Sequence, residues 1–112
     1  MKITDDFLDG DIAGAAALMG MLASEARLQI LCRLLDGERS VGDLAQACGM
    51  SQPTMSQQLK RLKEAGLVDG RRDGQTIYYG VKGREVAAVL ETLHALYCAQ
   101  GKPNGEADLD PA

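Results

Sequence analysis

The chain has 112 residues, 46% of them hydrophobic and 25% charged, and its formal net charge is −4. This length provides one domain with a single modest core and excludes a second independent core. A net negative charge taken alone argues against a nucleic-acid partner, because DNA repels acidic surfaces.

The charges are nevertheless segregated along the chain. Residues 1–50 carry four basic and eight acidic side chains, residues 51–84 carry seven and three, and residues 85–112 carry one and five. Only the middle segment is therefore positive, and a concentrated positive field favours a phosphate-rich partner. The acidic remainder disfavours indiscriminate binding.

The first apolar segment, residues 12–22 (IAGAAALMGML), is similar in composition to the core of a secretion signal. Acidic residues precede it instead of basic ones, and it is shorter than the roughly 20 residues that span a bilayer. We therefore predict a buried first helix over about residues 8–21. The predicted location is the cytoplasm, where thiols stay reduced unless their oxidation is a signal.

A second helix is predicted over about residues 24–36. Ser24 is a good N-cap, and Glu25 suits the positive end of the helix dipole. Asp36-Gly37 ends the helix. The apolar residues that share one face are Leu28, Leu31, Cys32 and Leu35.

Two further helices joined by a tight turn follow. Ser40 is the predicted N-cap of the first and Ser51 that of the second, with Gly49-Met50 as the turn between them. Pro53 is tolerated in the first turn of the second helix, where the backbone N–H groups have no helical partner. Helix, tight glycine turn and helix is the order of a helix-turn-helix.

The second of these helices has two chemically distinct faces. Met55, Leu59 and Leu62 recur at i, i+4 and i+7 and form one apolar stripe. The opposite face offers amides and hydroxyls that can read base edges, followed by cations that can neutralise phosphates. The predicted base-reading residues are Gln52, Thr54, Ser56 and Gln57, and the predicted phosphate-binding residues are Lys60 and Arg61.

A β-hairpin is predicted directly after this helix. Gly66 ends the helix, and the strand-like runs 67–71 and 75–81 are joined through Asp73-Gly74, a strong hairpin signal. Arg71, Arg72 and Gln75 complete the predicted DNA-binding set. An ordinary polar helix with a surface hairpin is the alternative interpretation. Four elements in the order of a winged helix-turn-helix outweigh it.

A last helix is predicted over about residues 84–100, and residues 101–112 are predicted to be a disordered tail after a domain that occupies residues 1–100. The apolar stripe of this last helix consists of Val86, Val89, Leu90, Leu93, Leu96 and Tyr97. The first and last helices carry more apolar surface than one small core can cover, which indicates a protein interface. We therefore predict a mainly α fold with a small β-hairpin that forms a homodimer, with recognition helices about 34–36 Å apart.

Two segments together resemble the ArsR/SmtB family of dimeric winged-helix repressors. One is Leu22-Ala-Ser-Glu-Ala-Arg27-Leu28-Gln-Ile30-Leu31, and the other is Ser51 through Val81, which includes Glu64-Ala-Gly-Leu-Val68. The resemblance covers about residues 10–100 and implies binding to an operator with an inverted repeat. Gln58 departs from it, because many members carry histidine there, and this should alter an operator contact at most.

Many members of that family sense metals, but the ligand positions do not match here. The thiolate positions of the soft-metal sensors correspond to Ser40 and Gly42, and soft metals require thiolates. The positions that match the family's zinc ligands are Gly83, Glu85, Leu96 and Ala99. His94 is the only histidine, and a lone histidine at a helix edge is usually solvated. We predict no metal or other cofactor.

The three cysteines are Cys32, Cys48 and Cys98. Buried packing is the common role of a free cysteine, and we predict it for Cys48 on the helix-turn-helix core stripe. The segments Ile30-Leu-Cys32-Arg and Tyr97-Cys98 look like the reactive pair of the persulfide-responsive branch of the family, typified by SqrR and BigR. That resemblance implies a repressor that leaves DNA when sulfane sulfur links Cys32 to Cys98, since one thiol attacks and the other resolves.

Other functions remain as alternatives. A general oxidant sensor that forms a plain disulfide is the second candidate, and a metal-responsive repressor is less favoured. A winged helix that serves only as a protein-interaction module is a further class. An enzyme is not predicted, because the chain has no Cys-x-x-Cys, no histidine–carboxylate set and no phosphate-binding glycine loop.

Overall fold

The computed structural model describes residues 10–98. The helices in this range are α1 (Ile12–Leu22), α2 (Glu25–Arg33), α3 (Val41–Cys48), α4 (Gln52–Glu64) and α5 (Arg84–Tyr97). The strands are β1 (Arg39–Ser40), β2 (Val68–Asp73) and β3 (Thr76–Val81). They form one antiparallel sheet in the order β1-β3-β2. The predicted mainly helical fold, a winged helix-turn-helix, is confirmed.

Serine side chains begin three of the helices, as predicted. Each hydroxyl oxygen accepts a hydrogen bond from the backbone N–H three residues later, which pairs one of the donors that a helix start leaves unsatisfied. The caps are Ser24, Ser40 and Ser51, and the distances to the N–H groups of Arg27, Asp43 and Thr54 are 3.3, 3.1 and 3.2 Å.

Several predicted boundaries differ from the structure. The α-helical part of α2 ends at Arg33, and Leu34–Asp36 continues it as a 3-10 turn. The hairpin turn consists of Gly74 and Gln75, because Asp73 still pairs with Thr76 at the end of β2. Gly74 has φ 66°, a conformation that suits glycine at the start of a two-residue turn.

Two further differences concern the short strand and the ends of the chain. Strand β1 was not predicted, because two residues are too few for a periodic signal. The predicted tail over residues 101–112, and the predicted first-helix residues 8 and 9, lie outside the described residues.

The core lies where α2, α3, α4 and α5 meet the base of the wing. The α4 stripe of Met55, Leu59 and Leu62 is fully buried, which confirms the predicted inward face of this helix. The other large side chains that are fully buried are Ile30, Leu31, Leu44, Val68, Val86 and Leu90.

The prediction that α1 is buried was wrong for the single chain. Only Leu22 is buried in this helix, while Ile12 and Met19 are 44% and 56% exposed. Alanine and glycine fill most of the remaining helix, and no other element of the described residues covers them. The small side chains permit close approach of a neighbour but do not themselves reach the core.

Among residues 10–98, no single helix is long and apolar enough to cross a bilayer. Helix α1 and the helical segment Glu25–Asp36 meet the length and composition criteria only together, as a pair bent by 94°.

The buried stripe of α4 generates a stability prediction. Replacing Leu59 with alanine should lower the free energy of unfolding by about 2–5 kcal/mol, because the cavity forms at a site with no solvent exposure. Lys63→Ala, on the exposed face of the same helix, is the matched control and should change it by less than about 0.5 kcal/mol. Urea unfolding at one fixed protein concentration measures both. Equal losses in the two variants would contradict the assigned faces.

Candidate nucleic-acid interface and thiol groove

A glycine in the left-handed region makes the turn that sets α4 against α3. Gly49 follows α3 with φ 67° and ψ 34°, and the N–H of Met50 donates to the carbonyl oxygen of Ala45 at 2.9 Å. A side chain at position 49 would be strained in this conformation. Only two residues therefore separate the end of α3 from Ser51, the N-cap of α4.

All six predicted DNA-contacting side chains of α4 are exposed. They are Gln52, Thr54, Ser56, Gln57, Lys60 and Arg61. The Ser51 hydroxyl donates to Oγ1 of Thr54 at 2.9 Å, which fixes the side chain of Thr54 beside the helix start. Gln58 is half-buried, and its Oε1 is buried without a hydrogen-bond partner among the described residues. Its amide oxygen thus faces inward, away from this exposed set.

The strand register places the two wing arginines on opposite faces of the sheet. Arg71 pairs with Tyr78 and Arg72 pairs with Ile77, and successive side chains of a strand point to opposite sides. Both arginines are exposed, and so is Gln75 in the turn. Within residues 10–98, Arg72 makes no ion pair. The two arginines predicted to bind phosphates therefore project from opposite faces of the wing.

Arg71 is already bound to a carboxylate. Its Nη2 and Nε donate to Oε1 of Glu38 at 2.8 and 3.0 Å, and its Nη1 lies 4.0 Å from Oδ2 of Asp73. The guanidinium also stands 5.3 Å from the centre of the Tyr78 ring. These hydrogen bonds lower the pKa of the Glu38 carboxyl and raise the pKa of Arg71. Sequence reasoning did not predict a role for Glu38, because the two residues are 33 positions apart.

Cys32 and Cys98 line the same open groove, which has a volume of about 930 Å³ and lies between α2 and α5. Both are free thiols. Leu28, Leu93 and Tyr97 give the groove apolar walls. Cys48 does not line it and packs, half-buried, against the core. The structure thus brings together the two cysteines that were predicted to react and separates the third from them.

The two thiols differ in environment. Cys32 is half-buried, whereas Cys98 is exposed at the C-cap of α5 and donates its backbone N–H to the carbonyl oxygen of His94 at 2.8 Å. Burial raises the pKa of Cys32, and negative charge on Cys98 raises it further. Cys98 can exert this effect because it lines the same groove as Cys32.

The same groove reaches the helix-turn-helix. Its wall includes Met50, in the turn before α4, and Arg39, in strand β1. Arg39 donates from Nε to the carbonyl oxygen of Arg33 at 2.9 Å, and its strand pairs with β3 at Tyr79. Sequence reasoning placed Met50 in the turn before α4 but gave neither residue a role in the groove. Their positions connect the thiols both to the start of the recognition helix and to the wing.

Residues 10–98 contain no group of three or more His, Cys, Asp or Glu side chains arranged to hold an ion. His94 is exposed at the rim of the thiol groove.

Known proteins with a similar sequence and fold indicate the family of this chain. Residues 24–69 match the family described as bacterial regulatory protein, arsR family. The transcriptional activator HlyU of Vibrio cholerae is 45% identical over 91 residues, which are 81% of this chain and 84% of that protein. The solved structure of the transcriptional repressor BigR from Xylella fastidiosa is 37% identical with a TM-score of 0.78, and the match covers 88% of this chain and 100% of that one.

A third comparison concerns assembly. A homodimeric winged helix-turn-helix DNA-binding domain from Mycobacterium bovis, described as a possible ArsR-family regulator, is 36% identical with a TM-score of 0.70. The match covers 86% of this chain and 89% of that one. HlyU and BigR are described as regulators of transcription, and the Mycobacterium bovis domain as a possible one. The chain therefore belongs to the ArsR family of bacterial transcription regulators, which bind DNA through a winged helix-turn-helix.

Proposed function

We propose that this regulator is a repressor that binds operator DNA while Cys32 and Cys98 are reduced and leaves it when a sulfur bridge joins them. The observation that carries the proposal is that both thiols and Met50 of the helix-turn-helix line the same groove. A covalent bond between α2 and α5 would change the shape of this groove. It would therefore act directly on Met50, which lies in the turn before the recognition helix. The site of action would be the cytoplasm, where thiols are reduced at rest.

In the DNA-bound state, α4 enters the major groove and the wing approaches the backbone. The proposed base-reading residues are Gln52, Thr54, Ser56 and Gln57, and the proposed backbone-contacting residues are Lys60, Arg61, Arg72 and Gln75, which Arg71 joins only when Glu38 releases it. The exposure of all these side chains supports the proposal. The positive charge of residues 51–84 further supports it.

We further propose a homodimer that forms through α1 and α5. The exposed large apolar side chains of the described residues lie on these two helices: Ile12, Met19, Leu96 and Tyr97. Leu96 and Tyr97 are 68% and 80% exposed, which is costly for side chains of this size unless a partner covers them. A two-fold dimer would present two recognition helices to an inverted repeat.

The proposed inducer is an organic persulfide. Each thiolate takes the sulfane sulfur of one persulfide molecule and releases the carrier thiol, so that both cysteines become persulfides. One perthiolate then attacks the inner sulfur of the other persulfide, and hydrogen sulfide leaves. The product is a trisulfide between Cys32 and Cys98, and the sequence of steps consumes no further oxidant. The exposed Cys98 is the accessible first nucleophile.

The bridge would fix the separation of α2 and α5. Because Met50 and Arg39 line the groove between them, a change in its width shifts the start of α4 and the strand that supports the wing. A shift of about 2–3 kcal/mol in the equilibrium between two dimer geometries weakens operator binding about 30- to 150-fold. This is the usual size of allosteric coupling.

A general oxidant sensor is the second candidate. The same two thiols would form a plain disulfide through a sulfenic acid after reaction with peroxide. The shared groove supports this reaction too, and the number of sulfur atoms in the bridge distinguishes the two candidates.

The roles assigned to α4 and the wing predict different DNA-binding defects. Gln57→Ala should reduce the preference for operator over random DNA, because a base-reading side chain is lost. Arg72→Ala should weaken binding to every sequence and lower the slope of log affinity against log salt by about 1. Fluorescence anisotropy with both duplexes across a salt series measures each effect. The base-contact assignment fails if Gln57→Ala weakens both duplexes equally.

The thiol mechanism predicts a defined product. After treatment of the reduced protein with an organic persulfide, Cys32 and Cys98 peptides of one subunit should be joined through at least one added sulfur atom. Operator affinity should fall in step and return with a thiol reductant. Cys32→Ser and Cys98→Ser should each stay on DNA, whereas the control Cys48→Ser should respond as the unmodified protein does. Release of DNA by treated Cys32→Ser would refute the bridge, and a plain disulfide formed only with peroxide would select the oxidant sensor.

The raised pKa of Cys32 predicts the pH at which this thiol reacts. Because thiolate is the nucleophile, alkylation of Cys32 should reach half its maximal rate at a higher pH than for an ordinary cysteine. Cys98→Ser removes the smaller cause, the neighbouring charge, and should move that midpoint down while burial keeps it raised. Peptide mass spectrometry after short pulses of iodoacetamide follows the rate. Cys48→Ser is the control, and an unchanged midpoint in Cys98→Ser would argue against the electrostatic contact.

A further inference from the structure

The pair formed by Glu38 and Arg71 spans the whole sheet. Glu38 lies immediately before β1, Arg71 lies in β2, and β3 runs between these two strands. The Glu38 side chain crosses the middle strand at Gly80, where an added Cβ would lie 3.4 Å from its Cγ. The carboxylate side chain thus passes over the middle strand at a position that has no side chain of its own.

This pair contributes little to holding the wing in place. The two side chains are 56% and 45% exposed, and solvent screens ion pairs of this exposure so strongly that most contribute little to stability. Backbone pairing already fixes the hairpin from Val68↔Val81 to Asp73↔Thr76. The main consequence of the pair is therefore that the Arg71 side chain is less available to other partners.

The carboxylate occupies the donors with which Arg71 would bind a phosphate. Nη2 and Nε both donate to Oε1 of Glu38, and Nε also lies 3.3 Å from Oε2, so the carboxylate occupies an edge of the guanidinium with which arginine also binds phosphates. Asp73 faces the remaining Nη1 at 4.0 Å, and the Tyr78 ring covers one face of the guanidinium. Two carboxylates near one guanidinium leave this face of the wing without excess positive charge.

We propose that Glu38 is an intramolecular substitute for a DNA phosphate that competes for Arg71 and thereby restrains binding to DNA of any sequence. This inference rests on the proposed approach of the wing to the DNA backbone. While Glu38 holds Arg71, only one of the two wing arginines remains available to bind phosphates. This residue is Arg72, on the opposite face of the sheet. The base-reading side chains of α4 are not affected, so Glu38 lowers non-specific affinity and leaves sequence preference to α4.

The test is a double-mutant cycle of Glu38→Gln and Arg71→Gln, with random duplex DNA between about 50 and 200 mM salt. Glu38→Gln alone should raise affinity about three- to tenfold near 0.1 M salt and steepen the salt slope by about 1, because one more phosphate is neutralised. In the Arg71→Gln background, Glu38→Gln should not steepen the slope. Arg71→Gln alone should change the slope little, since its cation is already paired.

Three outcomes would overturn the proposal. Weaker binding of Glu38→Gln would mean that the carboxylate positions the wing for DNA. An equal gain in both backgrounds would reflect the loss of a negative charge and not the release of Arg71. An unchanged slope in Glu38→Gln would show that Arg71 does not reach a phosphate. Arg72→Gln separates this failure from that of the proposed DNA interface, because it should lower the slope whenever the wing touches DNA.

Discussion

The burial of one side of α4 is the constraint on which the rest of this structure depends. Met55, Leu59 and Leu62 have no solvent exposure, so the polar side of the helix must face outward. The same core contains Leu31 of α2 and Leu90 of α5, the helices that flank the thiol groove. Because protein interiors are close-packed, a displacement of α2 against α5 cannot be absorbed locally. The recognition helix thus shares one packed unit with the proposed sensor.

Charge complements this arrangement on the wing. Residues 51–84 carry seven cations, five of them in α4 and the hairpin, but the structure shows that these cations are not equivalent. Among residues 10–98, Arg72 makes no ion pair, whereas Arg71 forms an ion pair with Glu38, the residue immediately before β1. A count of charges therefore overstates the positive field that the wing presents. The proposed affinity for DNA depends on which cations have an internal partner.

The features that could be predicted from the sequence are those encoded by neighbouring residues. Three serine caps and the α4 stripe follow from local spacing, and the structure has them. The Glu38–Arg71 pair joins residues 33 positions apart across a two-residue strand, which leaves no periodic signal. The excess apolar surface of α1 was predicted from composition, but composition did not show that Leu22 is the one residue of this helix that the single chain buries. The proximity of the two thiols was inferred from family resemblance alone.

The position of Cys98 at the end of α5 would let the proposed bridge act on assembly without unfolding the subunit. The first half of α5 is anchored in the core by Val86 and Leu90, whereas Leu96 and Tyr97 are exposed and Cys98 follows them. The end of this helix is therefore the part least held by its own chain. In the proposed repressor a partner subunit covers it, so a bridge to Cys32 sets the core-anchored α2 against the dimer interface. The free energy of the bridge would then alter the geometry of the dimer more than the fold of either subunit.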